Sequence, residues 1–232
     1  MSVAEAVAAV RARIDAAAAR AGRDAADVTL VAATKTVDAE RVRAVVAAGV
    51  ADVGENRAQE LLEKAPVVDG ACWHFVGALQ RNKVRGLAPW VVCWHSVDRE
   101  VLGAEIARRA PGARVLVEVN LADEQQKHGC APSLAPPLVD ALRGQGLAVE
   151  GLMAVPPAGE EPRRWFAALR ELAISLDLRE LSMGMTDDFE VAVEEGATMV
   201  RVGRALFGDR PDSDPVPGPV PGPVPASPER RR

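Results

Sequence analysis

The sequence predicts an α/β protein built as a single (β/α)8 TIM-type barrel with an extra helix at its N-terminus. Three observations carry that expectation. Eight short apolar runs alternate with helix-periodic segments along the chain, which is the pattern of a parallel sheet with crossover helices. Eight strands close such a barrel, and 232 residues suffice for one. The competing open sheet, in its dinucleotide-binding form, would carry G-x-G-x-x-G after the first run, and this chain does not.

Val3, Val7, Val10 and Ile14 recur at spacings of four, three and four, so the first segment is an amphipathic helix. Strands are expected at 28–34, 51–54, 73–77, 91–95, 114–119, 149–154, 179–182 and 198–202. Helices are expected near 38–48, 56–64, 80–87, 99–109, 133–143, 162–176 and 187–195, with Gly49, Gly144 and Gly196 where left-handed caps belong. Residues 1–210 make the barrel. Residues 211–232 differ in kind, with eight prolines, a Pro-Gly-Pro-Val repeat and a terminal Arg-Arg-Arg. Proline at this density forms no amide ladder and buries little, so a disordered, partly extended tail is expected.

Composition narrows the class. A net charge of −5 and a pI near 5.4 argue against a nucleic-acid surface held by a basic face. Cys72, Cys93 and Cys130 are odd in number, far apart and without C-x-x-C; they fit reduced, mostly buried thiols better than disulfides or a zinc site. Glu5, Arg11, Arg13, Asp15 and Arg20 interrupt the first segment, so it has no signal-peptide core. No stretch approaches the roughly 18 uninterrupted apolar residues of a spanning helix. The expectation is a cytoplasmic monomer with neither nucleic acid nor membrane as a partner.

Chemistry is expected at Lys35. The chain carries 24 Arg and only four Lys (Lys35, Lys64, Lys83 and Lys127), so an ordinary basic position would read Arg. Arg keeps its proton in a protein, whereas a neutral lysine amine can attack a carbonyl and form a Schiff base. Lys35 ends the run Val28–Thr34, where desolvation favours the neutral amine. The plainer alternative is a lysine that snorkels to water from a strand end.

The remaining strand ends collect polar residues: Glu55-Asn56-Arg57, His74, His95-Ser96, Asn120, Ser182-Met183-Gly184 and Arg201-Val202-Gly203-Arg204. The last two loops of such barrels frequently bind phosphate. Here Ser182 offers a hydroxyl, Gly184 and Gly203 a close backbone approach, and Arg201 a positive charge. Asp187, Asp188 and Glu190 read as a helix start with a capping box. His74, His95 and His128 lack the spacing of a metal site and are expected to hydrogen-bond within the rim. Lys83 and Lys127 read as surface or supporting charges, and Lys64 as a favourable charge near a helix C-terminus.

Taken together, these stretches resemble the YggS/PROSC family of pyridoxal phosphate homeostasis proteins. The matching residues are Leu30 to Thr36, Gly54 to Glu60, Trp73 to Lys83, His95 to Asp98, Val119-Asn120, Gly151 to Met153, Leu181 to Phe189 and Val200 to Gly208. They run in family order, and only the proline-rich segment lies outside. The resemblance implies a barrel like the alanine racemase N-terminal domain, with pyridoxal 5′-phosphate held as a Schiff base on Lys35. It also implies Asn56 near the cofactor ring, Ser182, Gly184, Arg201 and Gly203 around the phosphate and ring nitrogen, and His74 behind them. Two positions depart from the family: Val37, where many members carry a second lysine, and Arg57, where Tyr is frequent.

A non-catalytic carrier that supplies cofactor-dependent apo-enzymes is the function expected. The alternatives are an amino-acid racemase or decarboxylase on the same cofactor, and a Schiff-base aldolase without it. A racemase of the alanine racemase type pairs its lysine with a tyrosine from a second domain, and this chain has no Tyr. An arginine beside the pyridine nitrogen would weaken the cofactor as an electron sink. For an aldolase, only Glu55 and His74 offer an acid/base partner, and each has an ordinary structural role.

Overall fold

The structure, a computed structural model, describes residues 2–208 apart from positions 123 and 125. It opens with helix α1 (Val3–Arg20), after which strands and helices alternate. They are β1 (Thr29–Ala33), α2 (Ala39–Ala47), β2 (Asp52–Glu55), α3 (Ala58–Lys64), β3 (Cys72–Phe75), α4 (Val84–Leu87), β4 (Val91–Val97) and α5 (Glu100–Arg109). The second half comprises β5 (Arg114–Glu118), α6 (Ala135–Gly144), β6 (Ala148–Met153), α7 (Arg163–Ser175), β7 (Glu180–Ser182), α8 (Phe189–Glu194), β8 (Met199–Val202) and α9 (Arg204–Phe207). The strands pair in parallel in chain order, and β8 closes onto β1. The expected (β/α)8 barrel with its extra N-terminal helix is therefore the fold. Among the described residues no helix is long and apolar enough to cross a membrane.

The extra helix starts at a capping box, in which Ser2 accepts from the Glu5 amide and Glu5 accepts from the Ser2 amide. Its apolar stripe, Val7, Val10, Ile14, Ala17 and Ala18, is buried, and it packs on α8 and α9. Arg13 ties it down by an ion pair to Glu190 at 3.0 Å. The guanidinium also stacks over the Phe189 ring.

The main core lies between strands and helices, and a smaller one, Val31, Cys93, Leu116, Met153 and Met199, fills the barrel interior. Residues in register on neighbouring strands share a face. The register Val31↔Arg201 therefore places Arg201 inside. Met153↔Ser182 does the same for Ser182, and His74↔Cys93 for His74.

Several local expectations are corrected. Gly49 and Gly196 adopt positive φ as caps, but Gly144 is the last residue of α6, and the left-handed turn falls at Gly146 (φ +82°). The helix expected at 80–87 is a 3-10 turn, Arg81–Lys83, leading into the single turn of α4. No capping box forms at α8: the helix starts one residue later than the pattern suggests, so Glu190 is its second residue and pairs with Arg13 instead. Cys72 is exposed, while Cys93 and Cys130 are buried as expected. The tail expected at 211–232 lies outside the described residues.

Candidate functional site

A cleft of roughly 450 Å3 opens beside the C-terminal ends of β1 and β8, lined by Lys35, Thr36, Arg41, Met185, Arg201, Gly203 and Arg204 among others. Four basic side chains and one acidic one, Asp187, contribute to the lining, so the cleft favours an anion. Arg204 pairs with Asp187 across it, and Arg41 donates to the Phe207 carbonyl.

Lys35 is partly buried and sits between two restrained neighbours. Thr36 adopts φ +63°, a left-handed conformation that β-branched residues rarely take, and its amide donates to Glu60 Oε2 at 2.7 Å. On the other side the Thr34 carbonyl accepts from Lys64 Nζ at 2.8 Å. Lys64 is not the ordinary helix-end charge the sequence suggests. It is buried, and its amine also reaches Glu55 Oε1 at 2.6 Å and Glu60 Oε2 at 3.0 Å. The first turn of the barrel rim is thus clamped by a Glu55–Lys64–Glu60 cluster. Burial pushes the Glu55 carboxyl above its ordinary range despite the Lys64 amine, whereas Glu60 is held below it by the Thr36 amide and Lys64 against its own partial burial.

Arg201 forms the buried side of the cleft. Its Nη1 donates to the Ser182 carbonyl and hydroxyl, both at 2.6 Å, and its Nη2 to the Ala154 carbonyl at 3.1 Å. Its amide donates to the Gly184 carbonyl at 2.9 Å. Gly184 is required there: φ is +91°, and a Cβ would lie 2.5 Å from that of Ala192. Burial pulls the Arg201 guanidinium down to about 10, opposed by Glu118 and Asp188, so it stays cationic at neutral pH.

Glu118 is the unexpected titrating group. Burial, reinforced by Asp98 and opposed by Arg201, pushes its carboxyl up to about 7. A folded-state pKa above the unfolded one means that the native state holds a proton the unfolded chain releases. Its contribution is complete below the ordinary glutamate value near 4.5 and is lost as pH rises through 7. We expect urea unfolding to show stability falling between pH 5 and 7.5 by on the order of 3 kcal/mol. Glu118→Gln should flatten that slope; an unchanged slope would reject the assignment.

His74 and His95 are not rim residues but lie inside the barrel, at most 2 % exposed. His74 Nε2 meets Asp52 Oδ1 at 3.0 Å, His74 Nδ1 meets His95 Nε2 at 2.8 Å, and His95 Nδ1 meets Ser182 Oγ at 2.8 Å. Burial, then His74 and Arg201, hold His95 well below the ordinary histidine range. Donor atoms of His74, Cys93 and His95 fall within 4.8 Å of one another, but the two nitrogens are already hydrogen-bonded together. Burial raises the Cys93 thiol to about 12, far from thiolate.

Of the residues singled out from sequence, Lys35, Arg201 and Gly203 line one cleft. Ser182 and Gly184 lie directly against Arg201, and His74 connects to it through His95 and Ser182. Asn56 stands at the exposed end of β2, outside that lining. Sequence reasoning missed Arg41, Asp52 and Glu118. The latter two share the strand parity of Gly54 and Leu116, but that parity marks the interior only once the barrel is closed.

Fold and cleft define a class: a (β/α)8 barrel presenting a first-strand amine and an eighth-strand arginine to one anion-sized, glycine-bounded cleft. The alanine racemase N-terminal domain family matches residues 6–211. A pyridoxal phosphate homeostasis protein of Pseudomonas aeruginosa is 45 % identical over 221 residues, covering 90 % of this chain and 96 % of that one. Its namesake in Aquifex aeolicus is 42 % identical, covering 90 % and 99 %. PipY of Synechococcus elongatus, solved with PLP bound, superposes with a TM-score of 0.77 at 31 % identity, covering 89 % of this chain and all of that one. The chain belongs to the alanine racemase N-terminal domain family, among its pyridoxal phosphate homeostasis proteins.

Proposed function

We propose that the protein binds pyridoxal 5′-phosphate through Lys35 and serves its homeostasis in the cytoplasm as a monomeric, non-catalytic carrier that supplies apo-enzymes. The observation that carries this reading is the convergence of Lys35 and Arg201 on one cationic cleft. The donor set fits the group: an amine for the aldehyde, positive charge for the phosphate, glycine at Gly203 in the cleft lining for close backbone approach, and a volume suited to a small cofactor. When bound, the cofactor supplies an aldehyde for a Schiff base and a pyridine ring able to take up electrons.

The chain's own residues favour holding over turnover. Lys35 is the amine that anchors, and the Glu55–Lys64–Glu60 cluster fixes the backbone on either side of it. Ser182 and Gly184 orient Arg201, with His74 behind them, and the ring contact is assigned to Asn56, just past the end of β2. A cationic donor facing a pyridine nitrogen disfavours protonation of that nitrogen, and with it the electron sink that turnover needs. The absence of any Tyr removes the usual second base of a racemase.

The test is an absorbance spectrum of wild type beside Lys35→Ala after addition of the cofactor, before and after borohydride, followed by a racemisation assay. We expect a lysine-dependent band, fixed by reduction, with no turnover, and loss of the band in the variant. A colourless wild type sinks the cofactor assignment; a coloured protein that racemises amino acids makes it an enzyme.

A further inference from the structure

The barrel interior holds a continuous line of polar contacts that extends from the cleft residues to two that the proposed function leaves unassigned, His95 and Asp52. It begins at Asp52, at the N-terminal end of β2, whose side chain is 38 % exposed. Asp52 also lines a second cleft beside α1, with Arg11 and Asp15, at the strand starts. From there the line passes through His74 on β3, His95 on β4 and Ser182 on β7 to Arg201 on β8. It joins the two ends of the barrel, and each contact is between 2.6 and 3.0 Å.

We propose that Asp52 is a positioning residue for the cofactor cleft: through His74 and His95 it commits the Ser182 hydroxyl hydrogen inward and leaves Ser182 only as an acceptor for Arg201.

The two ends of the line set its direction jointly, and Asp52 is the end that fixes the hydrogen of His74. A carboxylate only accepts, so His74 Nε2 carries a hydrogen. A guanidinium only donates, so Ser182 Oγ accepts from Arg201. Between them, neutral imidazoles each have one donor and one acceptor, and one arrangement satisfies every atom. His95 Nε2 donates to His74 Nδ1, and the Ser182 hydroxyl donates to His95 Nδ1. The reverse requires a doubly protonated His74. Both His95 and Arg201 would then donate to Ser182 Oγ, and its own buried hydrogen would have no acceptor among the contacts of the described residues. Leaving a buried donor unpaired is costly. The neutral state of His95, set first by its burial, agrees with the first arrangement.

Two consequences follow. A phosphate in the cleft receives no hydrogen from Ser182 and must be held by backbone amides and cations. Arg201 is aimed by an acceptor whose orientation is controlled from the opposite end of the barrel. The polarity itself needs no ligand, whereas its effect on the cofactor rests on the reading proposed above.

The direct test is nitrogen NMR of the imidazoles in 15N-labelled full-length protein without cofactor, helped by there being only three histidines. Wild type is expected to show His74 and His95 both with hydrogen on Nε2 and a bare Nδ1. Asp52→Ala should release this pattern, giving His74 a mixture of tautomers. Asp52→Asn should restore it, because a carboxamide oxygen still accepts. Pyridoxal phosphate titration should follow, with the dissociation constant raised about five- to tenfold in Asp52→Ala and about twofold at most in Asp52→Asn. His95 carrying hydrogen on Nδ1 in wild type overturns the proposal, as does an Asp52→Ala protein with unchanged tautomers and affinity. A protein with the expected tautomers that takes up no cofactor supports the polarity and overturns the cofactor reading and the consequence drawn for it.

Discussion

Replacing Lys64 by Met is expected to destabilise the protein by about 3–5 kcal/mol, the range for removing one partner of a buried ion pair. Glu55 is fully buried, and its Oε1 has two side-chain donors, Lys64 Nζ at 2.6 Å and Thr34 Oγ1 at 2.8 Å. Without the amine the carboxylate must either remain charged in a medium that solvates it poorly or take up a proton, and both cost stability. The double replacement Glu55→Leu with Lys64→Met should recover most of the loss, because a buried pair exchanged for apolar groups of similar size is often close to neutral. Urea denaturation of the two proteins measures this directly, and similar losses in both would reject the pair as the cause. The single variant should also bind cofactor more weakly. Lys64 holds the Thr34 carbonyl and steadies Glu60, which in turn holds the Thr36 amide in its left-handed turn. Lys35 lies between those two anchors.

Gly77→Ala should have a comparable effect by a different route. A Cβ built on Gly77 would lie 2.1 Å from the Asn56 carbonyl oxygen and 2.7 Å from its carbonyl carbon and Cα. The obstruction is backbone, so no side-chain rotation relieves it. Gly77 cannot easily retreat either, because its own carbonyl accepts from Ser96 Oγ on β4 at 2.5 Å. The end of β2 must therefore move, at a cost of about 3 kcal/mol or above, the upper end for overpacking. Asn56 moves with it. If Asn56 meets the cofactor ring, affinity falls together with thermal stability. A destabilised Gly77→Ala protein with wild-type affinity would remove Asn56 from the binding residues.

Much of this was legible in the one-dimensional chain because it depends on local periodicity and local chemistry. The alternation of short apolar runs with helical spacing is set by side chains along each segment, and it placed all eight strands close to their observed positions. Lys35 stood out because lysine is scarce in an arginine-rich chain and follows a buried run. Gly184 and Gly203 stood out because their loops follow the last two strands. Some departures from the pattern are local too. One residue of slippage at α8 turned an ion-pairing Glu190 into a supposed capping residue, and helix ends are where patterns are least sharp.

What the sequence by itself determined is the order of elements, the barrel they close and the lysine at its mouth, all consequences of hydrophobic spacing and residue type within short windows. The tertiary structure alone decided which polar residues meet. In a barrel buried on both faces, strand residues of either parity are largely shielded from water, so polarity does not reveal which ones point inward. His74 and His95 are 21 positions apart, and they touch only because β3 and β4 are adjacent with a register shift at Trp73/His74. Lys64 reads as a helix-end charge until α3 packs against β2 and carries its amine under the Thr34 carbonyl. Hydrogen-bond partners and charge burial depend on distances across the fold, and those distances exist only once the barrel has closed.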